Sequence, residues 1–170
     1  MVNLRPVAFV TAVFTVVCFV LSGLTVFAQP DVSASCAALM VAETGELIYG
    51  KNEHDRRSMA STTKIMTSLL AIEALTPQRK ITVSADMLNV EGTSMGLLPG
   101  DTVTLEGLVY GMLLQSGNDA ANVTAITLGG NVENFVSMMN KRAGEIGMND
   151  THFETPSGLD SKEHLSLIHI

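Results

Sequence analysis

The sequence predicts a mixed α/β fold of the α+β kind, with strands first and helices after. Three observations carry this. CAALMVAETGELIYGKN (36–52) reads as two short strands around a turn. An almost wholly apolar helix follows in ASTTKIMTSLLAIE (60–73). Beyond residue 104, apolar stretches of helical length recur between glycine and asparagine breaks.

Residues 1–28 hold a single basic residue, Arg5, and then an apolar run from Val7 to Phe27 that ends in Val26-Phe27-Ala28. This reads as a signal peptide, with a retained membrane anchor as the alternative; on either reading the rest of the chain is exported. Val17 stands before Cys18 where a lipoprotein signal needs a small residue, which argues against lipidation. Cys36 is then the only cysteine after the signal, so an intramolecular disulfide and a cysteine zinc cluster are both ruled out. In the first hairpin, Glu43-Thr44-Gly45-Glu46 forms the turn, with Gly45 free to take positive φ.

The helix from Ser61 carries Ile65, Met66, Leu69, Leu70 and Ile72 around most of its circumference, the pattern of a central, buried helix. Pro77 closes that region, and Ile81-Thr82-Val83 is a short strand. Thr104 caps a helix over 105–115. Ser116-Gly117-Asn118 breaks it, a second helix spans 119–128, and Gly129-Gly130 ends that one. A third, 132–146, has a stripe of Val132, Phe135, Val136 and Met139. There is no internal repeat and no disordered linker.

Charge narrows the function. The chain has 10 Lys and Arg against 17 Asp and Glu, a net of −7, and loss of Arg5 with the signal takes it to −8. Without a basic stripe or any Trp, nucleic-acid binding is disfavoured. His54, His152, His164 and His169 form no His-Glu-x-x-His pattern, so a catalytic metal has no support and no cofactor is expected.

Two clusters could carry chemistry. Ser61 and Lys64 form Ser-x-x-Lys, which a helix places on one face. Ser61 also falls at the helix N-terminus, where free N–H groups favour developing negative charge. A serine needs a base to become a nucleophile, and lysine becomes one when burial disfavours its charged form. The plainer alternative makes Ser61 an N-cap and Lys64 an exposed first-turn residue. The second cluster is Ser116-Gly117-Asn118. There Ser116 can relay a proton and Asn118 can hold a substrate amide, or Asn118 can simply cap the helix that begins at Asp119.

Ser-x-x-Lys followed by Ser-Gly-Asn, behind a signal peptide, resembles the serine penicillin-binding proteins and β-lactamases. The closer likeness is to the low-molecular-weight D-alanyl-D-alanine carboxypeptidases, peptidase family S11. It rests on TGELIYGKN, RRSMASTTKIMTSLLAIE, SMGLLPGDTVTLEGLVYGMLLQSGNDAANVTA and GMNDTHFETPSGLD, in family order, and covers about 37–164. The resemblance implies a β-lactamase/DD-peptidase-like fold, an antiparallel sheet with a helical subdomain. It also implies that 29–170 is the N-terminal part of the transpeptidase-like catalytic domain.

Further, the resemblance implies that Ser61 is the acylated nucleophile, Lys64 its base, Ser116 part of the proton relay and Asn118 a substrate-binding residue. The Ser61 N–H would furnish half of an oxyanion hole. The substrate would be a peptidoglycan stem peptide ending in D-Ala-D-Ala, and β-lactam antibiotics would acylate the same serine. The location would be the extracytoplasmic face of a bacterial cell envelope. A serine β-lactamase and a non-catalytic cell-wall-binding or β-lactam-sensing homologue are the alternatives.

The departures are specific. No Lys is followed by Thr-Gly or Ser-Gly, and the family places that motif beyond residue 170. Leu165-Ser166-Leu167-Ile168-His169-Ile170 fits the family poorly, so the chain reads as C-terminally truncated, with any C-terminal membrane-associating segment also missing. Thr155 and Ser157 replace the Asn and His common in their loop. Glu145-Ile146-Gly147-Met148-Asn149 imitates the block that carries a deacylating glutamate in some β-lactamases, but its setting is that of a helix end.

Overall fold

A computed structural model describes residues 30–74, 76, 78–159 and 161–168. The expected signal peptide at 1–28, Cys18, Pro77 and His169 lie outside them. Strands β1 (Ala37–Met40) and β2 (Leu47–Lys51) pair antiparallel, and Gly45 takes φ +72° in the turn between them. β3 (Arg57–Ser58) pairs with β6 (Leu165–Ser166), and β4 (Lys80–Thr82) with β5 (Thr102–Thr104), both antiparallel. Among the described residues the strands form three two-stranded sheets instead of one continuous sheet.

Four helices carry the core: α1 (Thr63–Glu73), α2 (Leu105–Gln115), α3 (Asn118–Gly129) and α4 (Val132–Glu145). α2 is capped as expected, the Thr104 hydroxyl accepting from Gly107 N–H at 3.1 Å. Asn131 caps α4 in the same way through Asn134 N–H. The stripe on α4 points inward, with Phe135 and Met139 fully buried and Val132 and Val136 packed against them.

The central helix is α3, not α1. Every residue from Asn118 to Ala125 is buried, because Ala120, Ala121 and Ala125 are small enough for neighbouring helices to approach on all sides. α1 buries Met66 and Ala71 but leaves Ile65 and Ile72 exposed at 63% and 62%. Ile65 lines an apolar groove of about 450 Å3, shared with Met59, Leu69, Met148, Phe153 and Ile168. The all-round apolar pattern of α1 therefore records two different faces, one packed on α2, α3 and α4 and one open.

What this packing achieves for the site is placement. One core cluster joins α1, β4, α2 and α3 through Ala71, Ile81, Leu105, Leu108 and Ala120. A second joins α1, α3, α4 and the 153–158 loop through Met66, Ala125, Phe135 and Phe153. The start of α1, the α2–α3 junction and that loop are thus held against shared neighbours.

Candidate active site

Ser61 lies in a single 3-10 turn, Ala60–Thr62, that runs directly into α1. The residue before it, Ala60, is at φ +44°, a left-handed conformation that costs an alanine about 1–2 kcal/mol. Such strain is held only where the surroundings enforce it. Lys64, three residues on, is 1% exposed, yet its Nζ has two partners. It donates to Ser61 Oγ at 3.1 Å and to the Ser157 carbonyl at 2.7 Å. Burial pushes the Lys64 pKa down from its ordinary value. The exposed first-turn reading of Lys64 does not hold, since the side chain turns inward.

Ser116 ends α2 in the left-handed region at φ +55°, and its hydroxyl donates to Ser61 Oγ at 2.9 Å. Ser61, Lys64 and Ser116 thus meet at one oxygen, although 55 residues separate the two serines. Asn118 comes in differently. It does not cap α3; Gly117 takes the N-cap position and offers no side chain. Instead Asn118 Nδ2 donates to the Glu91 carbonyl at 2.6 Å, and its backbone N–H to the Thr93 carbonyl at 2.7 Å. The side chain is 6% exposed, so part of its hydrogen-bonding capacity is spent on fixing the 91–93 loop.

Asp119 extends that fixation. One buried carboxylate accepts from Ser94 Oγ and from the backbone N–H groups of Met95, Gly96, Leu97 and Ala120, at 2.6–3.0 Å. Burial would raise its pKa, but these donors outweigh burial and hold the carboxyl below its usual value. Asp119 therefore contributes stability that is present at neutral pH and lost as pH falls through the depressed folded-state value. In urea unfolding of the full-length protein, Asp119→Ala should cost about 1–3 kcal/mol at neutral pH, because buried donors lose their acceptor. The deficit should shrink on acidification below about pH 4, where the wild type loses the same contribution.

The 153–158 loop closes the back of the site. Asn140 on α4 grips Phe153 twice, accepting from its N–H and donating to its carbonyl, both at 2.8 Å. Thr67 Oγ1 donates to the Pro156 carbonyl at 2.6 Å, one helical turn beyond the Lys64 level. Gly158, at φ +86°, packs directly on the Ala60 carbonyl. Three contributors escaped the sequence reading: the Ser157 carbonyl, Asp119 and the buried His164. Among the described residues no group of three or more His, Cys, Asp or Glu side chains could hold a metal ion. Glu145 stands on the exposed end of α4, paired with Lys141 and Arg142.

Residues 24–168 match the D-alanyl-D-alanine carboxypeptidase family, peptidase S11. The chain is 38% identical over 138 residues to the D-alanyl-D-alanine carboxypeptidase DacF of Bacillus subtilis, covering 78% of this chain and 36% of DacF. The crystal structure of the D-alanyl-D-alanine carboxypeptidase DacD from Francisella tularensis superposes with TM-score 0.78 at 36% identity, over 84% of this chain and 36% of that one. Penicillin binding protein 6B from Escherichia coli superposes with TM-score 0.78 at 35% identity, over 85% and 49%. The chain thus spans between about a third and a half of the length of these relatives. With the fold shared and the family match running through Ser61, Lys64 and the Ser116–Asp119 junction, the chain belongs to the D-alanyl-D-alanine carboxypeptidase family, peptidase S11.

Proposed function

We propose that the full-length protein is an exported serine-type D-Ala-D-Ala carboxypeptidase of the bacterial cell envelope, acting on peptidoglycan stem peptides and acylated by β-lactams. The single observation that supports this most is Ser61 Oγ, bonded at once to Lys64 Nζ and Ser116 Oγ. Such an oxygen has a base on one side and a proton relay on the other.

With Lys64 charged, Ser61 Oγ accepts from the ammonium. Burial favours the neutral amine, whose lone pair then takes the Ser61 proton as Oγ attacks the carbonyl carbon of the penultimate D-Ala. Collapse of the tetrahedral intermediate breaks the peptide bond. The departing amine of the terminal D-Ala receives its proton from Lys64 through Ser116. Water then attacks the acyl-enzyme and gives a proton to Lys64, which passes it to Ser61 Oγ as the ester bond breaks, so that the shortened peptide leaves with the Ser61 hydroxyl and the neutral amine restored.

The Ser157 carbonyl keeps Nζ aimed at Ser61 throughout, at 2.7 Å. Asn118 is the proposed substrate-binding residue, through the amide capacity that Glu91 leaves unused. In this reading the substrate carboxylate and the second oxyanion donor are served by a Lys-Thr-Gly strand outside this chain.

The test is the full-length protein with a peptide ending in D-Ala-D-Ala and, separately, with a fluorescent penicillin. Release of D-Ala and a long-lived penicillin adduct are expected. Rapid penicillin turnover would instead indicate a β-lactamase. Muropeptide binding with no D-Ala release would indicate a non-catalytic binding or sensing protein.

A further inference from the structure

His164 is 0% exposed and belongs to none of the steps above. Its two ring nitrogens are used in opposite senses. Nδ1 accepts from Glu154 N–H at 2.9 Å, with Thr155 N–H a longer second donor at 3.4 Å. A nitrogen that accepts two N–H groups carries no hydrogen, so the neutral ring bears its proton on Nε2. Nε2 lies 2.7 Å from Thr63 Oγ1 and donates to it. Phe153 meets the ring edge-on at a centroid distance of 5.8 Å and holds its plane.

The two ends of this bridge matter. Thr63 is the first residue of α1 and the neighbour of Lys64, and it is 1% exposed. Glu154 and Thr155 begin the loop whose Ser157 carbonyl receives Lys64 Nζ. Thr155 Oγ1 in turn accepts from Gly158 N–H at 3.0 Å, which fixes the turn around Ser157.

We infer that His164 is a positioning residue for the Ser61–Lys64 pair, joining the first turn of α1 to the loop that orients the lysine. The role rests on the function proposed above, since it acts only through Lys64. Without the bridge, the loop is free to lift from Thr63, the Ser157 carbonyl drifts from Nζ, and water reaches the ammonium. Hydration favours the charged form. Glu154, whose N–H bonds His164, is held below its usual pKa first by the Ser161 hydroxyl, and its carboxylate also interacts with His152; neither group hydrogen-bonds Lys64.

The experiment follows acylation of the full-length protein by fluorescent penicillin between about pH 5 and pH 10, alongside thermal unfolding. His164→Ala should acylate about tenfold more slowly or worse, and the alkaline rise of rate, set by Lys64 deprotonation, should move to higher pH. His164→Gln restores an amide donor for Thr63 and should return the profile towards wild type. Thr63→Val removes the acceptor while His164 stays, should shift the profile in the same direction, and decides the matter if His164→Ala does not fold.

An unmoved pH profile in folded His164→Ala or Thr63→Val, even with a lower melting temperature, overturns the inference, since a merely structural histidine would behave so. If the wild type forms no penicillin adduct, the proposed function fails, and the titration of the Lys64 ε-carbon by NMR still reads the bridge. Identical titrations in wild type and His164→Ala would then overturn it.

Discussion

Ser61→Ala in the full-length protein is expected to form no covalent penicillin adduct and to release no D-Ala from a D-Ala-D-Ala peptide. Lys64→Met, which keeps the nucleophile and much of the side-chain volume, is expected to slow acylation by about 10²–10⁴-fold, the usual worth of a positioned base. The two losses differ in kind. Without Oγ there is no atom to acylate. Without Nζ the hydroxyl remains, still within 2.9 Å of Ser116, but its proton has no strong acceptor.

The pH dependence separates the roles further. Burial lowers the Lys64 pKa, so the wild-type rate should rise with pH and level off below the ordinary lysine value. That rise should vanish in Lys64→Met, leaving a slow, flatter profile. Mass spectrometry of the penicillin adduct and a stopped-flow acylation profile measure both. An adduct persisting in Ser61→Ala, or an unchanged profile in Lys64→Met, would refute the assigned roles.

How far the sequence carries depends on whether a contact is local. Thr104 with Gly107, and the stripe of Phe135 and Met139, are encoded within one or two helical turns and were legible. Ser61 and Lys64 are also local, and a helix start was enough to bring them together on paper. The plainer alternative for Asn118 fails, since its side chain reaches a loop 27 residues earlier instead of capping the helix. Periodicity reported the apolar faces of α1 but not that only one of them is packed. Composition alone could not say that α3, with its small residues, would be the buried centre.

The remaining site groups left no local mark. Lys64 is held by a carbonyl 93 residues away, and a carbonyl looks the same in every residue type. His164 reaches Thr63 across 101 residues, and a lone histidine between acidic and apolar neighbours carries no pattern of its own. Asp119 is a first-turn acid that complements its helix. Its larger part, gathering four donors from 94–97, requires the loop to be in place before the side chain has anything to bind.

Gly158→Ala should be among the most damaging single-methyl changes available to this chain. At φ +86° the backbone already disfavours any side chain. The added Cβ would overlap the Ala60 carbonyl oxygen, lie 2.5 Å from the Ala60 carbonyl carbon and 2.9 Å from Thr63 Oγ1. The first two are main-chain atoms, which have no rotamer in which to escape. Ala60 is itself strained at φ +44° and leads directly into Ser61, so relaxation there would displace the nucleophile. On the other side, Gly158 follows Ser157, whose carbonyl holds Lys64. One methyl group would therefore wedge apart both partners of the pair.

The expected cost is about 3 kcal/mol or more, from overpacking and left-handed strain together. Acylation should fall steeply even in the fraction that remains folded. Gly130→Ala is the matched control. Gly130 sits at φ +79° with no atom within 4 Å of the added Cβ, so it carries the backbone penalty alone. Its cost should stay at about 1–2 kcal/mol, and acylation should be unchanged because it closes α3 away from the Ser61 pair. Urea unfolding of the two variants isolates the overlap as the difference between them. Equal costs would mean that the 153–158 loop does not rest on Ala60 in solution, and the account of how Lys64 is oriented would fall with it.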